Sequence, residues 1–217
     1  MITKNFKERL TTSLLLIFLT ILIFNYKFLF VYTLIILGIL SIIEFFNLNK
    51  RIFKKNKSIF ILNFFFIFYV FIFCLIISIF YNYFHLKIII FSILLCCIAS
   101  DIGGYFVGKI LKGPKISKIS PNKTISGSIG SIFFSCIFLS FFYFYLLNKI
   151  HLEYFIIGTL TSIFCQIGDL LFSLMKRKAN LKDTSNYLPG HGGILDRIDG
   201  ILLGLPFGIL SIIIFLP

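Results

Sequence analysis

The chain has 217 residues, 59% of them apolar and only 13% charged, and carries a net charge of +13. That balance excludes an ordinary water-soluble domain, and apolar runs of about 18–22 residues recur, each long enough to cross a bilayer. The positive charge therefore needs no nucleic-acid partner, because basic loops between such runs suit anionic lipid headgroups.

Seven apolar segments are predicted as helices, over about residues 10–26, 28–46, 59–80, 88–107, 129–147, 155–175 and 194–216. The expected fold is all-α: a polytopic integral membrane protein of about seven transmembrane helices with a polar site facing the cytoplasm. No linker rich in Pro, Gly or Ser divides it, so residues 1–217 read as one membrane domain. Its first 90 residues are N-terminal helices, and residues 95–216 carry the polar groups. Lys4, Lys7 and Arg9 before an apolar run resemble a signal peptide, but no small-residue cleavage site follows, so a retained helix is expected. Asn25-Tyr26-Lys27 alone divides the first two segments, which implies a tight hairpin with Lys27 snorkelling to the interface.

The connecting loops divide the basic residues 18 to 3. One side takes Lys4, Lys7 and Arg9; Lys50, Arg51, Lys54, Lys55 and Lys57; Lys109, Lys112, Lys115, Lys118 and Lys123; and Lys176, Arg177, Lys178, Lys182 and Arg197. The other takes Lys27, Lys87 and Lys149. The positive-inside rule then puts the N-terminus and the two polar segments, 101–128 and 173–200, on the cytoplasmic side. All five cysteines lie in apolar runs without metal-ligand spacing and read as small buried hydrophobes.

Only eight acidic residues occur. Glu8, Glu44 and Glu153 fall near helix ends and read as ordinary interfacial groups. Asp101 and Asp169 interrupt apolar runs, where an unpaired carboxylate costs about 2.5–3.5 kcal/mol on the insertion scale. Each should face a wet cavity, a cation or a basic partner. Asp169, Ser173, Lys176 and Arg177 recur at helical spacing on one stripe, and Asp196 and Asp199 share a face if the last helix starts near Ile194. Asp169, Asp196 and Asp199 form a candidate cation site of oxygen ligands suited to Mg²⁺, with Asp101 a weaker candidate.

Residues 173–200 collect most of the remaining chemistry: Lys176, Arg177, Lys182, Asp183, His191, Arg197, and the turn Pro189-Gly190-His191-Gly192-Gly193. Glycine permits close backbone approach to an anion, and two of only four arginines lie in this stretch. In the earlier segment, Gly104 and Gly108 have the spacing of a helix-packing pair. Asp101 and Tyr105 lie one turn apart. The turn Ser120-Pro121-Asn122-Lys123-Thr124 offers hydroxyls and an ammonium as a second candidate phosphate contact. A lipid-linked transferase with a polyprenol or isoprenoid acceptor could use such a site, as could a transporter, although no two halves repeat in hydropathy.

The run S-x-x-K-R-x4-K-D-x6-G-H-G-G-x2-D-R-x-D, met by Ser173 through Asp199, resembles the signature of the phosphatidate cytidylyltransferase (CDP-diacylglycerol synthase) family. The upstream patterns Asp101-x-Gly103-x-Tyr105-x-x-Gly108, Ser120-Pro121-x-Lys123-Thr124-x-x-Gly127 and Gly168-Asp169-Leu170 agree with it. The likeness covers about residues 95–216. Two positions depart from the family pattern: Phe172 and Ser126 stand where acidic or amide side chains are common.

The resemblance implies transfer of the cytidylyl group of CTP to phosphatidate in the inner (cytoplasmic) membrane of a bacterium, dependent on Mg²⁺ with K⁺ assisting. Its partners would be CTP, phosphatidate and membrane lipid, with a homodimer as an admitted assembly. Asp169, Lys176, Arg177, Lys182, His191 and Arg197 are then the expected catalytic and phosphate-contacting residues, with Asp183 orienting a basic neighbour. Ser120, Lys123, Thr124, Ser173, Gly192 and Gly193 are the expected substrate contacts.

Overall fold

The computed structural model describes residues 18–53, 57–116, 120, 123–149, 151–185, 187 and 192–215. His191, Gly190 and the start of the first predicted helix lie outside the described residues. Six long helices follow in order: α1 (Lys27–Ile52), α2 (Lys57–Tyr81), α3 (Phe84–Leu111), α4 (Ile125–Leu147), α5 (Glu153–Lys178) and α6 (Leu195–Phe215). Residues 18–25 are helical as well and are separated from α1 by Tyr26 alone, in extended conformation. Among the described residues six helices are long and apolar enough to cross a membrane, and β-structure is limited to isolated bridges, one of them between Lys115 and Thr124. The expectation of an all-helical chain with helices long and apolar enough to cross a membrane therefore holds, with six such helices among the described residues where about seven were expected.

The chain divides into two compact units, residues 1–81 with 175–197, and residues 82–174 with 198–217. In the first unit, α1 and α2 meet through stacked aromatic pairs, Phe45 on Phe66 (centroids 3.8 Å) and Phe30 on Tyr81 (4.1 Å). A buried amide pair, Asn49 Nδ2 to Asn63 Oδ1 at 2.7 Å, joins the same helices. The Tyr81 hydroxyl lies within hydrogen-bond reach of the carbonyls of Ile23 (2.9 Å) and Phe24 (3.1 Å), just before the helix end at Tyr26. The rest of α2 shows Phe60, Phe64, Phe65, Phe68 and Phe71 outward, as expected of a helix whose solvent is hydrocarbon.

The second unit is built on close backbone approach. A Cβ on Gly103 of α3 would lie 2.6 Å from Phe134 Cβ and 2.7 Å from the Gly130 carbonyl of α4. Gly104 and Gly108 sit against Ser131, Thr124 and Gly127, so their spacing is a packing feature. On α5, a Cβ at Gly168 would lie 2.5 Å from the Asp199 carbonyl oxygen, which puts the α5 and α6 backbones in contact beside Asp169. Side-chain hydrogen bonds add to the packing, with Ser100 to Ser162 at 2.8 Å and Ser92 to Tyr143 at 3.1 Å.

Local chemistry sets the helix ends. Thr124 caps α4 by accepting from the Gly127 amide at 3.1 Å. Asn148 ends α4 in the left-handed region at φ 52°. Lys176, Arg177 and Lys178 lie in the last turn of α5, where cations complement the helix dipole.

Because Gly103 meets backbone as well as side chain, Gly103→Leu should overpack the α3–α4 contact by about 1–3 kcal/mol. The expected result is a lower unfolding temperature for the purified protein in detergent. Leu at Ile102, which is exposed, should leave it unchanged.

Candidate active site

In the first unit the signature segment is organised by two carboxylates. Asp196, in the first turn of α6, has a side chain only 6% exposed. Its Oδ1 accepts from Lys176 Nζ at 2.8 Å, and its Oδ2 accepts from the amides of Thr184 (2.8 Å) and Gly193 (3.0 Å). The Thr184 hydroxyl lies 2.9 Å from the same oxygen.

Glu44 of α1 is fully buried. It accepts from Ser185 Oγ (2.6 Å) and the Ile194 amide (3.0 Å) on one oxygen, and from Thr184 Oγ1 (2.7 Å) and the Leu195 amide (2.8 Å) on the other. The expectation of an ordinary interfacial group at Glu44 is corrected: it caps α6 and fastens the signature loop. The sequence held a signal for this, since Glu44 interrupts the 28–46 apolar run just as Asp101 and Asp169 interrupt theirs.

The other signature residues of this unit fall into place around that cluster. Gly192 adopts φ +83°, which favours glycine, and its neighbours include Asp196 and Asp183. The Gly193 amide is engaged by Asp196. Arg177 is exposed and donates to the Leu181 carbonyl at 3.2 Å, closing the α5 terminus. Lys182, Asp183 and Arg197 are exposed.

In the second unit a cavity of about 300 Å³ is lined by residues of α3, α4 and α5 together with Ile116, Lys123 and Thr124. Its polar walls are Asp101, Tyr105, Lys123, Ser128, Gln166 and Asp169. Lys123 Nζ donates to Asp169 Oδ2 at 2.6 Å, the two side chains being 30% and 24% exposed. Asp169 thus has a basic partner that the helical stripe through Ser173, Lys176 and Arg177 did not indicate. Gln166 accepts from Ser128 Oγ and donates to Ser162 Oγ at 3.2 Å. The sequence singled out neither Gln166 nor Ser128, and polar residues in an apolar run were the available signal.

Thr124 lines the cavity but spends its hydroxyl on the α4 cap and on Ser126 (3.1 Å). The Ser120 carbonyl accepts from the Lys123 amide at 3.1 Å. Ser173 is half-buried on α5. Asp199 is buried in α6, and its Oδ1 accepts from the Gly200 amide at 2.9 Å.

Among the described residues, no three His, Cys, Asp or Glu side chains gather at metal-binding distances. The carboxylates that share a polar cavity are Asp101 and Asp169. Two carboxylates, with water or phosphate oxygens completing the shell, is the way Mg²⁺ is commonly held. The cavity's donor set therefore fits such an ion. At Asp196 both oxygens are already engaged, one by the Lys176 ammonium and the other by two amides, whereas Lys123 engages only Oδ2 of Asp169.

The Lys176–Asp196 pair yields a stability test. Lys176→Met leaves a nearly buried carboxylate without its cation and should cost on the order of 3 kcal/mol. Arg177→Ala, at an exposed position, should cost under about 1 kcal/mol. Unfolding temperatures of both variants in detergent measure the difference.

The chain is 44% identical over 111 residues to a phosphatidate cytidylyltransferase of Bacillus subtilis, covering 50% of this chain and 41% of that protein. It is 36% identical over 129 residues to one from Synechocystis, covering 56% and 42%, and 43% identical over 116 residues to one from Rickettsia bellii, covering 49% of each. The matches thus span about half or less of these curated relatives' lengths. The cytidylyltransferase family profile, by contrast, runs from residue 3 to residue 215. On that extent of match, the chain belongs to the cytidylyltransferase family.

Proposed function

We propose that the protein transfers the cytidylyl group of CTP to phosphatidate, forming CDP-diacylglycerol and pyrophosphate in phospholipid biosynthesis. One observation carries this reading: Asp101, Lys123 and Asp169, which belong to the motifs of the resemblance, converge on one polar cavity inside a unit of long apolar helices. The relatives' names supply the substrates.

The chemistry follows from charge. A phosphatidate phosphate oxygen, already anionic at neutral pH, forms a bond to the α-phosphorus of CTP. The bond from that phosphorus to the bridging oxygen breaks, and pyrophosphate leaves with the electron pair. No strong general base is needed. The difficulty is bringing two anions together and stabilising a polyanionic leaving group at a low-dielectric boundary, so positioning and positive charge carry the rate.

Asp101 and Asp169 would hold Mg²⁺, which neutralises phosphate charge when bound. Lys123 holds one Asp169 oxygen and supplies an ammonium at the cavity wall. The exposed cations Arg177, Lys182 and Arg197, with His191, suit phosphate oxygens. Asp196, saturated by Lys176, Thr184 and Gly193, orients its lysine instead. The site faces the cytoplasm in this reading, supported by the 18-to-3 division of basic residues.

Purified protein supplied with labelled CTP, phosphatidate and Mg²⁺ should form a labelled liponucleotide, and chelation should stop it. Turnover of an isoprenoid phosphate in place of phosphatidate would sink the assignment. Asp169→Asn should lower turnover on the order of 10²-fold, with partial recovery at raised Mg²⁺ or with Mn²⁺.

For topology, reporter cysteines on a background without the native five should label from the cytoplasmic side at Tyr187, which is exposed on the signature segment. Those at Tyr83 and Asn148 should label from the opposite side. Labelling of Tyr187 and Asn148 from one side would overturn the orientation.

A further inference from the structure

Glu44 lies outside every motif through which the chain resembles its family, yet both of its oxygens are fully engaged, each by one hydroxyl and one amide. A carboxylate offers about four acceptor sites, and here four donors fill them: two hydroxyls, Thr184 and Ser185, and two amides, Ile194 and Leu195. The fit admits no side chain at residue 193. A Cβ there would fall on the Thr184 hydroxyl and stand 2.6 and 2.8 Å from the Glu44 oxygens. One function of this arrangement is plainly to cap α6.

A second follows from Thr184. Its Oγ1 lies 2.7 Å from Glu44 Oε2 and 2.9 Å from Asp196 Oδ2. A hydroxyl carries one proton, so it cannot donate fully to both carboxylates at once. The place of one carboxylate therefore constrains the other. Asp196 in turn holds Lys176 at 2.8 Å.

We propose that Glu44 is a positioning residue for the reaction, acting through the Thr184 hydroxyl on Asp196 and so on the direction of the Lys176 ammonium. This rests on the cytidylyl-transfer reading above. A cap alone would need only the two amides; the contact with Thr184 extends the effect of Glu44 to two signature residues.

The test measures kcat and KM for CTP with the full chain, phosphatidate and Mg²⁺. The variants are Glu44→Gln, Thr184→Val, Thr184→Ser, Asp196→Asn and the double variant Glu44→Gln/Asp196→Asn. Glu44→Gln and Thr184→Val should each lower kcat by about 10-fold or more, with KM for CTP changing by less than about threefold. Thr184→Ser, which keeps the hydroxyl, should recover most of the rate. The double variant should be no slower than Asp196→Asn alone, because residues acting in one chain of contacts do not add.

Additive losses in the double variant, or a wild-type rate in Thr184→Val, overturn the proposal. Should Glu44→Gln fail to fold, the two Thr184 variants decide the matter. Amide hydrogen exchange provides a readout independent of turnover. The Thr184 and Gly193 amides, both donated to Asp196, should exchange faster in Thr184→Val while residues 84–147 keep their protection. Unchanged exchange at those two amides overturns the positioning link whatever the activity. A wild-type protein that forms no liponucleotide overturns the cytidylyl-transfer reading alone.

Discussion

A carboxylate buried among apolar helices must find enough hydrogen-bond donors to replace water, and in this protein the donors of Glu44 come from the signature segment. That requirement explains several features of the segment together. Thr184 and Ser185 are hydroxyl residues at the point where the loop reaches α1. Gly193 lacks a side chain because the Glu44 oxygens occupy that space. The first amides of α6 need no phosphate or water to satisfy them. The N-terminal helices thus provide more than hydrophobic bulk, since residues 175–197 form one compact unit with them.

The second unit meets a different constraint. Hydrocarbon solvates an apolar side chain as well as another helix does, so association depends on close packing and on polar pairs. Glycine at 103, 104, 127 and 130 brings α3 and α4 together, and glycine at 168 and 200 does the same for α5 and α6. The small side chains that allow this contact also leave room. Gly104, Gly127, Ser128 and Ser131 line the cavity into which Asp101, Lys123 and Asp169 project. Close packing and an open polar site thus have a common origin in residue size.

The two departures from the family pattern take structural roles. Phe172 is buried as an apolar side chain on α5 and is not among the residues lining the cavity. Ser126 accepts from the Gly113 amide at 3.2 Å and pairs with Thr124, holding the turn that leads into α4. The cavity keeps both of its carboxylates and its lysine.

Hydrophobic run length and loop charge are properties of local sequence, and they sufficed to indicate helices long enough to cross a membrane, their approximate limits and the polar segments between them. The intramembrane acids Asp101 and Asp169 were also legible, because an unpaired carboxylate in an apolar run is costly wherever the run folds. Partner choice was not legible. Helical spacing placed Asp169 on a stripe with Lys176, whereas the fold gives Asp169 to Lys123, 46 residues away, and Lys176 to Asp196. Glu44 was read as interfacial because its partners lie about 140–151 residues further along the chain. Sequence by itself determined which segments suit hydrocarbon and which residues can carry charge chemistry. Tertiary structure alone decided which donor meets which carboxylate, because a hydrogen bond depends on separations of about 3 Å that packing sets and sequence distance does not.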